Sequence, residues 1–289
     1  MNALPIETQG LSGFDLETLT LGAGRLRPHQ MALQDLLEQG DQKFNFAELN
    51  LHVDSLAWQW SMLGLPLGAR VLISMRSSSL SLIGLLGALR AGLDVVLAPV
   101  HANAGSLAAL ARQSGALALA SEPKHDQLNL TETLFAAAAL ASDVKLVCSL
   151  GAELIDDAVC LDPWLARDEA SAPLPSHNIR RSQILTQDRS GNIHTHDQST
   201  LVAAALDLAT CAKISGDERV LSCLLPASFA GLVAGPVLSL LTGASLMLIP
   251  SFSTHVFARA FEGGERFHLI LPGAATSMMV EAGVIDSSR

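Results

Sequence analysis

The chain has 289 residues, with 18 Lys+Arg against 28 Asp+Glu and a formal charge of −10. That balance argues against a binder of the nucleic-acid phosphate backbone, which needs a basic footprint. A composition that is 49% hydrophobic and 16% charged can fill a sizeable core and excludes a disordered chain. Aromatic residues make up 4%, with no Tyr, so a stacking platform for bases or sugars has few residues to build it. Cys148, Cys160, Cys211 and Cys223 form no C-x-x-C pair, so neither a zinc cage nor a disulfide framework is indicated; they read as reduced, mostly core thiols. Residues Met1 to Gly13 lack a basic stretch followed by an apolar run, so a cytoplasmic setting is expected.

In chain order, Leu49, Val53, Leu56, Ala57, Trp60 and Leu63 recur at spacings of three and four, which predicts an amphipathic helix over Phe46 to Leu63, stopped by Gly64 and Pro66. Arg70 to Met75 reads as an interior strand, and Ser77 to Ser79 offer N-caps for a helix through Arg90 that Ala91-Gly92 closes. Asp94 to Pro99 is strand-like, Gly105 to Ser114 helical, and Ala116 to Ala120 strand-like again. This alternation implies parallel strands with right-handed crossovers, covered by helices on both faces.

After an Ala-rich helix (Thr131 to Ala141) and a strand (Val144 to Ser149), a Pro-bearing stretch from Ser171 reads as a linker. Beyond it come a strand at Gln183 to Thr186, a helix at Ser199 to Cys211 and a strand at Arg219 to Leu225. A helix at Leu232 to Leu241 follows, then strands at Ser245 to Ile249 and Phe267 to Leu271. Val220 to Pro250 carries no charge and is long enough to cross a bilayer, but Pro226, Gly231, Gly235, Pro236 and Gly243 interrupt it; a buried helix feeding a buried strand is the better account.

Phe46-Ala-Glu-Leu49, Leu63-Gly64, Gly68-Ala-Arg-Val71 and Gly87-Ala-Leu-Arg-Ala-Gly92 follow one another as in a known family. Thr195-His196, Gly216-Asp217-Glu218-Arg219-Val220-Leu221 and Leu240 to Pro250 continue the series. In order and spacing the chain resembles the N-terminal part of the adenylate-forming superfamily, which holds acyl-CoA synthetases, peptide-synthetase adenylation domains and luciferases. The resemblance runs from about Arg27 to the C-terminus. It implies an α/β fold of two stacked, mostly parallel sheets with flanking helices, truncated. The expected organisation is an arm (1–26), a first subdomain (27–170), a linker (171–182) and an incomplete second subdomain (183–289).

The resemblance also implies ATP or AMP with Mg as ligands, a carboxylate or acyl group as substrate, and a loop rich in small residues whose N–H groups and lysine hold phosphate. The matching stretch is Thr186-Gln-Asp-Arg-Ser-Gly191, with Thr186, Arg189, Ser190 and Gly191 as the nucleotide-binding candidates. It lacks the family's lysine, its proline and the other glycines, and Asp188 places a like charge where phosphate belongs. Arg189 either replaces the missing cation or belongs to an ordinary surface turn. At Pro226-Ala-Ser-Phe-Ala-Gly231 the family's histidine is absent; Phe229 or Gly231 lines a cavity or packs in the core. The chain ends before the family's tyr-gly-x-thr-glu motif, its ribose-binding acid and its lid, so no catalytic residue is assigned.

Gly22-Ala-Gly24 is an incomplete dinucleotide fingerprint, with Arg27 in the place of its third glycine. His194, His196 and Asp197 form either a metal corner or a polar turn; no metal ligand is assigned. No G-x-S-x-G elbow supports a hydrolase. Two functions remain: a catalytically impaired binding or helper module that binds nucleotide weakly or not at all, and an active or split carboxylate–CoA ligase. A truncated sheet is expected to expose an apolar edge for self-association or a protein partner. Neither nucleic acid nor a membrane span is expected.

Overall fold

The computed structural model describes residues 14–165, 181–262 and 266–281. The first elements are helix α1 (Leu16–Leu26), strands β1 (Met31–Asp35) and β2 (Gln42–Asn45), helix α2 (Phe46–Met62), strand β3 (Arg70–Met75), helix α3 (Ser79–Arg90) and strand β4 (Asp94–Pro99). Helix α4 (Ala104–Ser114) leads to β5 (Ala116–Ser121), the small hairpin β6 (Lys124–His125) and β7 (Leu128–Asn129), helix α5 (Leu130–Leu140), β8 (Leu146–Leu150) and β9 (Val159–Leu161). Next come β10 (Ile184–Gln187), β11 (Ile193–His196), α6 (Gln198–Ala212) and β12 (Arg219–Ser222). A continuous helical stretch joins α7 (Phe229–Leu232), a π-helical turn (Val233–Val237) and α8 (Leu238–Thr242). Strand β13 (Ser245–Leu248), α9 (Thr254–Glu262), β14 (His268–Ile270) and α10 (Gly273–Glu281) complete the described chain.

Two large sheets result. One runs β11-β10-β4-β3-β5-β8-β9, the other β14-β12-β13-β1-β2. Both are parallel except at one edge, where β11 pairs antiparallel with β10 and β2 with β1. Strands from before and after residues 171–182 share each sheet: β10 pairs with β4, and β1 with β13. Most of that expected linker lies outside the described residues. Of the expected N-terminal arm, the described part is mainly helix α1, capped by Asp15, which packs on α2 with Leu16 fully buried.

Alternation along β3 shows how the layers form. Val71 and Ile73 face a central core with α2, α3, α6 and α8, while Leu72 faces an outer core with Leu107 and Leu110 of α4 and Leu134 of α5. The five-stranded sheet sends Val220, Leu246 and Leu248 to the central core and Leu221 and Met247 outward to Val256 of α9. Helices therefore sit outside, between and outside the two sheets. Helix α3 lies in the middle and is buried on every side except at Leu80, which explains a sequence apolar all round rather than in a stripe. Gly87 is small for a reason of space: a Cβ there would lie 2.7 Å from Leu56 Cβ on α2. Arg90, 2% exposed, is neutralised by Asp54 at 2.8 Å and also reaches Asn50.

The charge-free stretch from Val220 folds as a strand, a helix with Pro236 in its π turn, and a second strand. No described helix is long and apolar enough to cross a membrane. The expectation of mostly core thiols needs correction. All four cysteines are free, but only Cys148 is buried; Cys160 sits on an edge strand, Cys211 is exposed on α6, and Cys223 lies just past the end of β12. Strand β12 also stops at Ser222 rather than Leu225, because the chain turns there toward α7.

Candidate functional site

The stretch expected to grip phosphate is the tip of the β10–β11 hairpin. Thr186 is not in the loop at all: it is a buried residue of β10, and its hydroxyl lies 2.8 Å from His196 Nε2. The turn closes by hydrogen bonds from Asp188 N to Asn192 O and from Gly191 N to Asp188 O. Gly191 takes φ +87°, a left-handed conformation that a side chain would strain.

The Asp188 carboxylate then collects the donors of its own turn. Ser190 N donates at 2.8 Å, Asn192 N at 2.9 Å, Asn192 Nδ2 at 3.1 Å, and His194 Nε2 lies 2.9 Å away. These bonds, the one with His194 foremost, hold the Asp188 carboxyl well below the usual carboxylate range. Backbone N–H groups that could cradle a phosphate are thus already turned on an anion. Arg189 and Ser190 are exposed, and the Arg189 guanidinium has no protein partner among the described residues. This geometry does not fit a triphosphate: entry would displace Asp188 and leave its charge beside the phosphate. His194 and His196, held by Asp188 and Thr186 respectively, do not converge, and the described residues contain no cluster of three metal-binding side chains.

A second feature lies where the parallel strands of both sheets end at their carboxyl termini, the usual place for a ligand in an α/β fold. A cleft of about 270 Å³ is bounded by Met75 at the end of β3 and Ser77 beyond it, Val100 and His101 after β4, His125 and Asp126 after β5, Cys223 to Pro226 after β12, and Ile249, Pro250 and Phe252 after β13. Its walls are mainly apolar. His101 and His125 meet with ring centroids 5.2 Å apart and planes tilted by 54°, and burial pushes His125 below the usual histidine range. Burial also pushes the Cys223 thiol up to about 11, so it stays protonated at neutral pH and is not a thiolate nucleophile.

Beside the cleft, the first turn of α3 gathers acids from both sheets. Asp35, the last residue of β1, accepts from Ser79 N at 2.9 Å and Ser79 Oγ at 2.8 Å. Glu122, just past β5, accepts from Ser78 Oγ, from Ser81 Oγ at 2.6 Å and from Arg76 at 2.9 Å. Arg76 also donates to Lys124 O, while its buried Nε has no hydrogen-bond partner among the described residues. Burial raises Asp35 to about 7, against the lowering effect of the Ser79 bonds.

The structure thus brings Thr186 together with His196, and His196 with Phe229 at 5.0 Å between rings, but turns Arg189 and Ser190 outward. Phe229 is half-buried against the central core, and Gly231 lines a small cavity with Arg76 and Ser78. Sequence reasoning missed Asp35, Arg76, Glu122, His101 and His125. Their common signal is a polar residue at or just past the carboxyl end of an apolar strand, as in Met31-Ala-Leu-Gln-Asp35 and Ser121-Glu122.

No protein-family model and no curated protein matches the sequence. Among solved structures, the chain is similar to Mycobacterium smegmatis MbtA in its apo form, at 21% identity and a TM-score of 0.73, over 91% of this chain and 50% of that one. It is similar to the N-terminal domain of FACL13 from Mycobacterium tuberculosis, at 18% identity and a TM-score of 0.72, over 92% and 65% respectively. For a benzoate CoA ligase from Burkholderia xenovorans LB400 the identity is 19%, the TM-score 0.68 and the coverage 86% and 48%. The chain therefore spans half to two thirds of the structures it matches, and it has the fold of the N-terminal portion of the adenylate-forming enzymes.

Proposed function

We propose that this chain is an acyl-CoA-synthetase-like module that does not form an acyl-adenylate and instead uses the cleft between its sheets to hold a small, largely apolar acyl or carboxylate group. The observation that carries this reading is the hairpin tip, where the Asp188 carboxylate occupies the N–H groups of Ser190 and Asn192. With the family's lysine absent as well, tight binding of ATP or AMP with Mg has no cradle. The apolar cleft wall, with Val100, Leu224, Leu225 and Phe252, supplies the binding surface. A cytoplasmic setting and a protein partner or second copy at the outer strand β14 belong to the same reading.

Calorimetric titration with ATP·Mg²⁺, run beside pyrophosphate exchange over a panel of carboxylates, tests it. Silence in both is expected, and measurable exchange overturns the reading. Arg189 favours a second reading, a ligase whose phosphate grip is this guanidinium, because it stands exposed at the hairpin tip with no partner among the described residues. That reading requires exchange which Arg189→Ala abolishes.

A further inference from the structure

The two walls of the cleft differ in kind. One is apolar, with Leu224, Leu225, Pro226 and Phe252 from the segments after β12 and β13. The other, from the segments after β4 and β5, carries His101, His125 and Asp126. No lysine or arginine is among the described residues that line the cleft, and the nearby Arg76 guanidinium is paired with Glu122 at 2.9 Å.

Strands β6 and β7 form a two-residue hairpin with His125 opposite Leu128, which sets Asp126 at the first turn position with φ +52°. Aspartate tolerates that left-handed conformation. The turn brings Asp126 Oδ2 to 3.7 Å from His125 Nε2. That gap is too long for a direct hydrogen bond and short enough for a single oxygen atom to bridge. His125 itself is 8% exposed, and its Nδ1 is buried without a hydrogen-bond partner among the described residues.

These contacts place the ring proton. On Nδ1 it would be a buried N–H with no acceptor, whereas on Nε2 it faces the Asp126 carboxylate. Burial foremost, with Arg76 and His101 beside it, keeps the ring from taking a second proton at neutral pH. The polar wall therefore offers one donor, His125 Nε2, next to one acceptor, Asp126.

We propose that the cleft selects an acyl group that carries a hydroxyl, which accepts from His125 Nε2 and donates to Asp126 while the apolar remainder lies against Leu224, Leu225 and Phe252. This inference rests on the reading of the cleft as an acyl site. Other far ends fit less well, each for a physical reason. A hydrocarbon end leaves His125 Nε2 and the Asp126 carboxylate against apolar atoms. A carboxylate end accepts from Nε2 but sets its charge beside Asp126, with no cation on the wall to offset it. An ammonium end donates to Asp126 but needs the His125 proton moved to the orphaned Nδ1.

Calorimetric titration of the whole chain with matched methyl esters tests the choice, because each set keeps the acyl group and varies its far end. The aryl set is methyl para-hydroxybenzoate, methyl benzoate and monomethyl terephthalate. The aliphatic set is methyl ω-hydroxyhexanoate, methyl hexanoate and monomethyl adipate. In at least one set the hydroxylated ester should bind about tenfold to a hundredfold more tightly than its parent, with the carboxylate member weakest. His125→Phe, which keeps a ring and removes the N–H, should abolish that preference, and Asp126→Asn should reduce it. Equal affinity of hydroxylated and parent esters in both sets, or tightest binding of a carboxylate member, overturns the hydroxyl assignment and leaves the cleft as an acyl site. Silence of both sets overturns the acyl reading itself and this inference with it. If His125→Phe does not fold, nitrogen-15 NMR of the wild-type ring decides: a proton on Nε2 whose signal moves with the hydroxylated ester supports the assignment, and a proton on Nδ1 overturns it.

Discussion

Two aspartates in this molecule meet backbone N–H groups and end with opposite acidities. Asp188 sits on an exposed hairpin tip, takes four donors and is held well below the carboxylate range. Asp35 sits between two sheets, takes two donors from Ser79, and is pushed up to about 7. The number of donors contributes, but solvent decides the sign: at the tip water still supports the charge, whereas at the junction desolvation outweighs the Ser79 bonds and Glu122 adds repulsion. One aspartate serves as an internal anion that fills a turn, and the other as a buried carboxyl that binds the first turn of α3 where water no longer supports its charge.

The largest expected effect comes from removing the junction's cation. Arg76→Leu leaves Glu122 buried without its guanidinium and should destabilise the chain by roughly 3–5 kcal/mol in denaturant melts, with much of the loss recovered in Arg76→Leu/Glu122→Gln. Full stability of the single variant would mean that Glu122 carries no charge in the native chain. Next comes Asp35→Asn: in denaturant melts the wild type should lose stability relative to this variant as pH rises from the ordinary value of 3.8 to about 7, by up to about 1.4 kcal/mol per unit.

At the hairpin the effects are smaller and run the other way. Asp188→Ala should lower the melting temperature slightly at neutral pH, and the difference should vanish as pH falls below the ordinary carboxylate value, where the lowered group loses its advantage. Phosphorus NMR line broadening of inorganic phosphate should then appear for Asp188→Ala but not for the wild type. Broadening in the wild type would show that Asp188 does not close the turn. His194→Ala should give the smallest change, since it removes one exposed partner of Asp188 and leaves the Ser190 and Asn192 bonds.

Much of the architecture was legible because it rests on local rules. Apolar runs bounded by Gly and Pro marked β3, β4, β5 and β13, and a three-and-four stripe marked α2. Strands β1 and β2 were missed: each is short, and Met31-Ala-Leu-Gln-Asp35 shows little alternation until its pairing with β13 is known. The departure of the hairpin from a phosphate loop was visible in the missing lysine and glycines. That Asp188 folds back on Ser190 N and Asn192 N was not, because such a turn depends on dihedral angles as well as composition.

The sequence by itself determined the layered α/β pattern and the altered hairpin tip, since residue size, periodicity and the presence or absence of Lys and Gly act within a few positions of the chain. Tertiary structure alone decided that Asp35, Arg76 and Glu122 share one helix end. They are 41 and 46 residues apart in sequence, and their protonation depends on burial and mutual distance, which arise only once β1, β3 and β5 are laid side by side across two sheets.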